Sequence, residues 1–188
     1  DYQIMFGHSL CGMFSVYTLF AYPDLFDAYI AASPYLMYED EFVVKKAKDA
    51  LNSRSDFTNQ IYMSIGNEPT YFKSLDNFKS LLKNKSGIKW TLHKYEDEDH
   101  GSIPFRTIAD CLEFIFSDWQ LTNDIAMKDV DAIKRRIKYQ EDKYGFSNKN
   151  IEASLTIVGY QLLQADKFKK AIEIFQKNSL PLFYFYDD

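Results

Sequence analysis

The chain has 188 residues, of which 46% are hydrophobic and 26% are charged, and its formal net charge is −5. This composition is typical of a globular protein with a core and excludes a disordered chain. The acidic balance argues against nucleic acid as a partner, because phosphate binding requires a basic surface, and no run of about 18 apolar residues predicts a membrane span. Two cysteines are too few to predict a disulfide framework, so the compartment stays unknown.

The first predicted elements are a strand, a helix and a second strand. Gln3 to Phe6 is short, apolar and bounded by Gly7, as expected of a buried strand. Apolar residues recur at helical spacing from Ser9 to Ala21, and Pro23 ends this helix because proline cannot continue it. Ala28 to Ala32 is again apolar and predicts a strand.

Strands and helices continue to alternate up to about Trp119. We predict helices near Asp40 to Leu51 and from Pro69, and strands at Ile61 to Ile65 and Ile88 to Tyr95. Such alternation is typical of a parallel sheet with right-handed crossover helices, which is an α/β fold. One more helix is predicted, with four apolar residues on one face: Ile108, Leu112, Ile115 and Phe116.

Beyond Trp119 the pattern predicts an α-helical tail. A charged helix is expected from Asp124 to Tyr144, ended by Gly145. Two amphipathic helices follow it. Their apolar residues are Ile151, Leu155, Val158 and Leu162 in the first, and Phe168, Ala171, Ile172 and Phe175 in the second.

The tail has one feature of a tetratricopeptide repeat. Gly159, Ala171 and Phe175 have the relative spacing of the small and aromatic positions in that repeat, although Pro181 comes earlier than the repeat would place it. We therefore predict an α/β region over residues 1–120 and a helical extension over 121–188 with one tetratricopeptide-like hairpin. A single helical pair cannot cover its own apolar face, so the tail predicts docking, a protein partner or self-association.

Ser9 lies where the first predicted strand turns directly into a helix, within the segment Gly7-His8-Ser9-Leu10-Cys11. A nucleophile elbow requires this context, with small residues two positions on either side of the serine. Gly7 meets that requirement, whereas Cys11 stands where glycine is usual. The alternative is that Ser9 merely caps the helix, and both roles can coexist because a helix N-terminus stabilises developing negative charge.

The base of such a serine must be one of three histidines. His8 precedes the serine and is expected to point into the packing of the elbow. His93 lies within a predicted strand and is expected on a face of the sheet. His100 follows the last strand in a loop closed by Gly101, which is where a hydrolase base belongs, so we predict His100 as the base.

The orienting carboxylate is expected after the strand before last, because hydrolase residues follow the order Ser, Asp or Glu, His. Glu68 occupies that place, although its charge would also suit a helix N-terminus. Asp76 is less apt, and Asp97 and Asp99 are alternatives beside His100.

The sequence implies neither a metal nor a cofactor. The acidic run from Glu96 to Asp99 lacks the spacing of a calcium loop, and no paired cysteine and histidine ligands suggest zinc. No glycine-rich phosphate loop or dinucleotide motif is present either.

These motifs together resemble a known family. The segments are Gly7-His8-Ser9-Leu10, Tyr22-Pro23-Asp24-Leu25-Phe26, Tyr29-Ile30-Ala31-Ala32-Ser33-Pro34, Ile65-Gly66-Asn67-Glu68 and Asp99-His100-Gly101-Ser102. They are similar to the esterase family of α/β-hydrolases that includes esterase D and the siderophore (enterochelin-type) esterases. The resemblance covers about Tyr2 to Trp119, and the tail is similar to an extension carried by some bacterial members.

The resemblance implies Ser9 as nucleophile, Glu68 as acid, His100 as base and the Leu10 backbone N–H as an oxyanion donor. It also implies that the family's earlier strands and second oxyanion donor precede this chain, which begins at Asp1 without an initiator methionine or leader. We therefore expect the C-terminal part of an α/β-hydrolase domain, a partial fold whose activity alone is in question.

Two functions follow from these expectations. The first is a serine esterase that hydrolyses small-molecule carboxylic esters, including siderophore esters, through an acyl-enzyme. The alternative is a hydrolase-like module without turnover that binds a protein partner through its tail. Acyl transfer to an acceptor other than water would use the same residues as hydrolysis.

Overall fold

The computed structural model describes residues 2–83, 87–119, 130–147 and 151–178. They form two compact units, with the division between Ser117 and Asp118. The first unit contains the sheet, and the second contains helices. No helix among the described residues is long and apolar enough to cross a membrane.

The first unit is a parallel sheet with flanking helices, which confirms the predicted α/β class. Its four strands pair in sequence order, each parallel to the next. The strands are β1 (Ile4–His8), β2 (Ala28–Ala32), β3 (Gln60–Ile65) and β4 (Lys89–Lys94), and the helices are α1 (Leu10–Ala21), α2 (Tyr38–Ser53), α3 (Pro69–Leu82) and α4 (Ile103–Ile115).

The central strands are buried along their whole length. Every residue of β2 and of β3 is buried, as expected of parallel strands covered on both faces. On one face, Leu19, Val43 and Phe78 belong to a core formed with α1, α2 and α3. On the other face, Cys111 and Ile115 of α4 pack against the sheet.

The register of the sheet aligns the carboxyl ends of its strands. His8 of β1 lies opposite Ala32 of β2, which lies opposite Ser64 of β3. The residues that follow these strands therefore meet at one edge, where ligand and catalytic sites of open α/β sheets are found.

The buried face of α4 differs from the predicted one. Ile108 and Leu112 are 48% and 45% exposed, whereas Thr107 and Cys111 are buried. Thr107 tolerates burial because its hydroxyl donates to the Ile103 carbonyl and accepts a hydrogen bond from Ser64. The prediction was therefore wrong for Ile108 and Leu112, whereas Ile115 is buried as predicted and Phe116 packs against the same cluster.

The second unit consists of α5 (Val130–Tyr144), α6 (Ile151–Gln164) and α7 (Phe168–Lys177). The predicted residues Leu155, Val158 and Leu162 are buried in α6, together with apolar residues of α5. In α7 the prediction was partly wrong, since Phe168 and Ile172 are 56% and 53% exposed and the buried residues are Ala171 and Ile174. Ala171 and Ile174 of α7 pack in the apolar core that α7 shares with α6. Phe168 and Ile172 lie outside that core.

Gly159 lies directly against Phe175. A Cβ on Gly159 would fall 2.5 Å from the Phe175 ring, so only glycine fits there without a shift of that ring. This pairing is the small and aromatic contact that motivated the tetratricopeptide-like hairpin, which stays a prediction. Pro181 and residues 124–129 of the predicted charged helix lie outside the described residues.

Candidate active site

Ser9 occupies a strained corner between β1 and α1. Its backbone has φ 58° and ψ −118°, a conformation that is costly for any residue with a side chain. Its N–H donates to the Ala32 carbonyl at 3.0 Å, which ties the corner to the end of β2. Within the described part of the chain, the Ser9 side chain makes no hydrogen bond that caps α1. The Ser9 side chain therefore does not act as the N-cap of α1.

Small residues let β1 and α1 approach closely at this corner. A Cβ on Gly7 would lie 2.0 Å from the Cys11 carbonyl oxygen, and a Cβ on Gly12 would lie 2.9 Å from the Ala32 carbonyl oxygen. Cys11 is an exposed free thiol. The close contacts thus require glycine at positions 7 and 12, and the cysteine at position 11 is accommodated on the surface.

Glu68 is a buried carboxylate held by three donors. It follows β3, is 8% exposed and precedes the first turn of α3. Its Oε2 accepts hydrogen bonds from the Gly66 N–H at 3.1 Å and from the Ser33 hydroxyl. Its Oε1 faces Nδ1 of His100 at 2.5 Å. The carboxylate therefore accepts Nδ1–H of His100, which leaves Nε2 as the acceptor of the neutral imidazole.

The loop that carries Glu68 packs directly on the loop that carries His100. The Asn67 N–H donates to the Glu98 carbonyl at 2.7 Å. A Cβ on Gly66 would lie 2.6 Å from that same carbonyl oxygen, so the two backbones are in contact. Glycine at position 66 thus permits the approach that brings Glu68 to His100.

A tight turn holds His100. Asp99 Oδ1 accepts from the N–H groups of Gly101 at 2.8 Å and Ser102 at 2.9 Å, and the Asp99 N–H donates to the Ser102 hydroxyl at 3.0 Å. The hydrogen bonds from Ser102 and Gly101 lower the pKa of Asp99, so the carboxylate stays charged. Asp99 is therefore occupied with the turn, and Glu68 is the carboxylate that meets the His100 ring.

The remaining predicted candidates lie elsewhere. Asp97 is exposed in the loop before His100, and Asp76 is exposed on α3. His93 lies in β4 with its ring 4.3 Å from the Tyr95 ring, measured between centroids.

His8, which was expected to pack within the elbow, lies beside the ring of His100. Its ring centroid lies 4.5 Å from that of His100. Burial, followed by the neighbouring charge of His100, lowers the pKa of His8 and favours its neutral form. The residue before Ser9 therefore forms one wall around the imidazole of His100.

Sequence reasoning missed two residues of this site, Ser33 and Tyr71. Ser33 is fully buried with φ 40° at the end of β2, and it binds Glu68. Tyr71 lies in the first turn of α3 with its ring centroid 5.5 Å from that of His100. Ser33 could have been found, because the residue after β2 lies beside the residue after β1 in any parallel sheet.

Leu10 is the first residue of α1, so its N–H is one of the four that no carbonyl of the same helix accepts. This donor lies beside Ser9 at the positive end of the helix dipole. Among the described residues, no group of three or more His, Cys, Asp or Glu side chains could hold a metal ion.

Comparison with known proteins gives related sequences. In an alignment of 129 positions that covers 61% of this chain, the sequence is 30% identical to ferri-bacillibactin esterase BesA of Bacillus subtilis. Over 127 residues it is 28% identical to the siderophore enterobactin esterase of Emericella nidulans. The chain covers 45% and 42% of these proteins, so it spans less than half of their length. No protein-family model matches the chain.

A solved structure gives the same architecture. The IroE-like serine hydrolase of Shewanella oneidensis superposes with a TM-score of 0.68 over 93% of this chain and 58% of its own, at 16% sequence identity. This likeness concerns the fold alone. Together with the related sequences, it confirms the resemblance that the motifs indicate, apart from the tetratricopeptide-like tail. The homologues of this chain are siderophore esterases, and its fold is of the α/β-hydrolase type.

Proposed function

We propose that this chain carries the catalytic residues of a serine esterase, with Ser9 as nucleophile, His100 as base and Glu68 as the orienting acid. The observation that carries the proposal is the buried Glu68 carboxylate bound to His100 Nδ1, at the same edge of the sheet as the strained Ser9 corner. The names of the two curated relatives support it, since both are esterases. They do not favour the alternative of a binding module without turnover.

The reaction follows from these groups. His100 Nε2 takes the Ser9 proton as Oγ attacks the ester carbonyl carbon, and Glu68 stabilises the imidazolium that forms. The tetrahedral intermediate collapses when the bond to the alcohol oxygen breaks and His100 returns the proton to that oxygen. Water then attacks the acyl-enzyme, His100 takes its proton, and Ser9 leaves with a proton from His100.

The Leu10 N–H is the proposed donor to the oxyanion. Its position directly after the nucleophile is that of the first oxyanion donor in α/β-hydrolases. A preorganised donor of this kind contributes about 100-fold to 1000-fold in rate. The positive end of the α1 dipole adds to the same stabilisation.

Siderophore esters are the proposed substrate class. The named relatives are a ferri-bacillibactin esterase and a siderophore enterobactin esterase. Hydrolysis would release a free carboxylic acid, whereas acyl transfer would yield a new ester or amide, and product masses distinguish the two.

Residues 1–120 are proposed to be the C-terminal part of the hydrolase domain, and 121–188 a helical extension with one tetratricopeptide-like hairpin. The chain covers 45% and 42% of the length of these relatives, which supports a partial domain. A protein partner or self-association through the extension stays a prediction.

Labelling by a fluorophosphonate probe tests the proposal. The intact protein is incubated with the probe and the modified peptide is identified by mass spectrometry. We expect one adduct on Ser9, no adduct in Ser9→Ala, and strongly slowed labelling in His100→Ala and Glu68→Gln. Ser80→Ala, an exposed serine on α3, is the matched control and should label normally. Unlabelled Ser9 in folded intact protein, or normal labelling of His100→Ala, would refute the proposed chemistry.

A further inference from the structure

Buried polar side chains connect α4 to the strands on which it packs. The hydroxyl of Tyr95, the residue after β4, donates a hydrogen bond to Oδ2 of Asp110 on α4. Because a phenol has a single proton, the Tyr95 oxygen accepts the 2.7 Å hydrogen bond that joins it to the Tyr62 hydroxyl of β3. Tyr62 and Tyr95 are both buried, so water has little access to these hydrogen bonds.

The Tyr95–Asp110 hydrogen bond joins the two ends of the loop that carries the proposed base. His100 lies between Tyr95 and the start of α4 at Ile103. At the first end, the Tyr95 N–H donates to the Ile65 carbonyl at 2.9 Å, which fixes Tyr95 to β3. At the other end, Asp110 lies about two turns into α4. The hydrogen bond therefore fixes the position of α4 relative to the end of β4.

Helix α4 contacts both the hydroxyl and the ring of Tyr95. The Arg106 guanidinium of α4 lies 5.6 Å from the centroid of that ring. Burial, followed by the hydrogen bonds with Asp110 and Tyr62, raises the pKa of Tyr95 above its usual value of 10.0. The phenol therefore keeps its proton at neutral pH and remains the donor to Asp110.

The position of His100 depends on both ends of its loop. In the proposed reaction the imidazole must meet Glu68 through Nδ1 and Ser9 through Nε2, and a displacement of about 1 Å can lower the rate about 100-fold. Without the Tyr95–Asp110 hydrogen bond, α4 can shift on the sheet. His100 lies just before α4, so a shift of the helix displaces the imidazole as well.

We propose that Tyr95 and Asp110 are positioning residues for the base: their hydrogen bond holds α4 on the end of β4 and thereby keeps His100 in contact with Glu68. This inference rests on the proposed esterase function, and both residues act through His100 rather than on the ester. It also accounts for the exposure of Ile108, because α4 turns the polar partners of β3 and β4 towards the sheet.

Steady-state kinetics of the intact protein compare Tyr95→Phe with Tyr62→Phe. Tyr95→Phe keeps the ring and removes the donor to Asp110, whereas Tyr62→Phe removes a hydroxyl of the same network and leaves that donor in place. We expect Tyr95→Phe to lower kcat about 10-fold and to leave KM within about twofold, because it displaces the base and not the bound ester. Tyr62→Phe should lower stability with kcat within about twofold. A comparable fall in kcat for Tyr62→Phe would count against a specific role of the Asp110 hydrogen bond.

Asp110 offers a conservative variant. Asp110→Asn keeps an Oδ acceptor for the Tyr95 hydroxyl and should retain most of kcat, whereas Asp110→Ala should lower kcat as far as Tyr95→Phe does. The double variant Tyr95→Phe/Asp110→Ala should fall no further, because both changes break the same hydrogen bond. Losses that multiply in the double variant would contradict a shared role.

A second measurement is independent of turnover. Proton NMR follows the Nδ1–H of His100, which Glu68 accepts, with the signal assigned by its loss in His100→Gln. Tyr95→Phe should broaden this signal, because the less firmly held ring exchanges its proton with water faster, whereas Tyr62→Phe should leave it sharp. A signal that is unchanged in Tyr95→Phe would overturn the inference.

The outcomes separate this inference from the proposed function. If Ser9 is labelled and ester is hydrolysed, but Tyr95→Phe retains the kcat of the wild-type protein, then the role of Tyr95 is wrong and the esterase proposal stands. If the wild-type protein neither labels nor hydrolyses ester, the esterase proposal itself fails, and the role of Tyr95 and Asp110 in catalysis fails with it.

Discussion

The Ser33 hydroxyl donates a hydrogen bond to Oε2 of Glu68, while Oε1 of the same carboxylate faces His100. The carboxylate is therefore held from the side opposite to its histidine. Both serine and carboxylate are buried, so water cannot readily replace this donor. Ser33 is in this way a positioning residue for the acid.

Ser33→Ala should lower kcat/KM about 10-fold, because a hydrogen bond to a buried charge contributes about 1.5 kcal/mol or more. Ester hydrolysis by the purified variant is the measurement. Ser64→Ala is the control, since Ser64 is also fully buried but bonds to Thr107. It should lower stability while leaving kcat/KM within about twofold. Equal activity losses in both variants would contradict the positioning role.

Gly66→Ala should disturb both stability and activity. The new Cβ would lie 2.6 Å from the Glu98 carbonyl oxygen, so the loops of Glu68 and His100 must separate. We expect a loss of about 1–3 kcal/mol in the free energy of unfolding, measured by urea denaturation. At Gly101 the nearest atom to a new Cβ is Asp99 Oδ1 at 3.5 Å. Gly101→Ala should therefore change stability by less than about 0.5 kcal/mol, and a cost equal to that of Gly66→Ala would refute the argument.

Asp99→Ala should reduce kcat because it removes the acceptor of two backbone N–H groups in the turn of His100. Without that acceptor the turn opens and the imidazole samples unproductive positions. Asp99→Asn keeps an Oδ1 acceptor and should retain most of the activity. Steady-state kinetics of the two variants decide the matter. If Asn were as damaging as Ala, the charge of Asp99 rather than its turn geometry would be what counts.

Asp118→Asn should destabilise the helical unit in a manner that depends on pH. Burial raises the pKa of Asp118, but hydrogen bonds from Lys143, Tyr144 and Tyr139 outweigh it and lower the pKa to about 2. A carboxyl with a pKa below its ordinary 3.8 stabilises the fold above pH 3.8, and this stabilisation disappears as the pH falls towards 2.

Denaturation of wild type and Asp118→Asn at several pH values tests this expectation. The difference should be on the order of 1 kcal/mol at pH 6, since Asp118 keeps some contact with water, and should shrink between pH 4 and pH 2. Asp166→Asn is the control, because asparagine tolerates the φ of 58° at that position. A difference that does not vary with pH would contradict the role of the Asp118 charge.

Local patterns were sufficient for the α/β class and for most of the elements. Ala28 to Ala32 and the helix start at Pro69 coincide with the observed bounds, because a continuous apolar run and an N-terminal proline act over a few neighbouring residues. The faces of α4 and α7 were not predictable in this way. Thr107 is buried because Ser64 of another element satisfies its hydroxyl, and no local pattern contains that partner.

The sequence by itself determined a strand, Ser9 and a helix in direct succession, followed by Glu68 and His100 in hydrolase order. Order along the chain can indicate such residues because each follows a strand of a parallel sheet. Only the tertiary structure decided that Glu68 rather than Asp99 meets His100, and that Ser33 and Tyr71 complete the surroundings. Those contacts join residues that are far apart in sequence, and they depend on close backbone approaches, such as that of Gly66 to Glu98, which spacing along the chain does not encode.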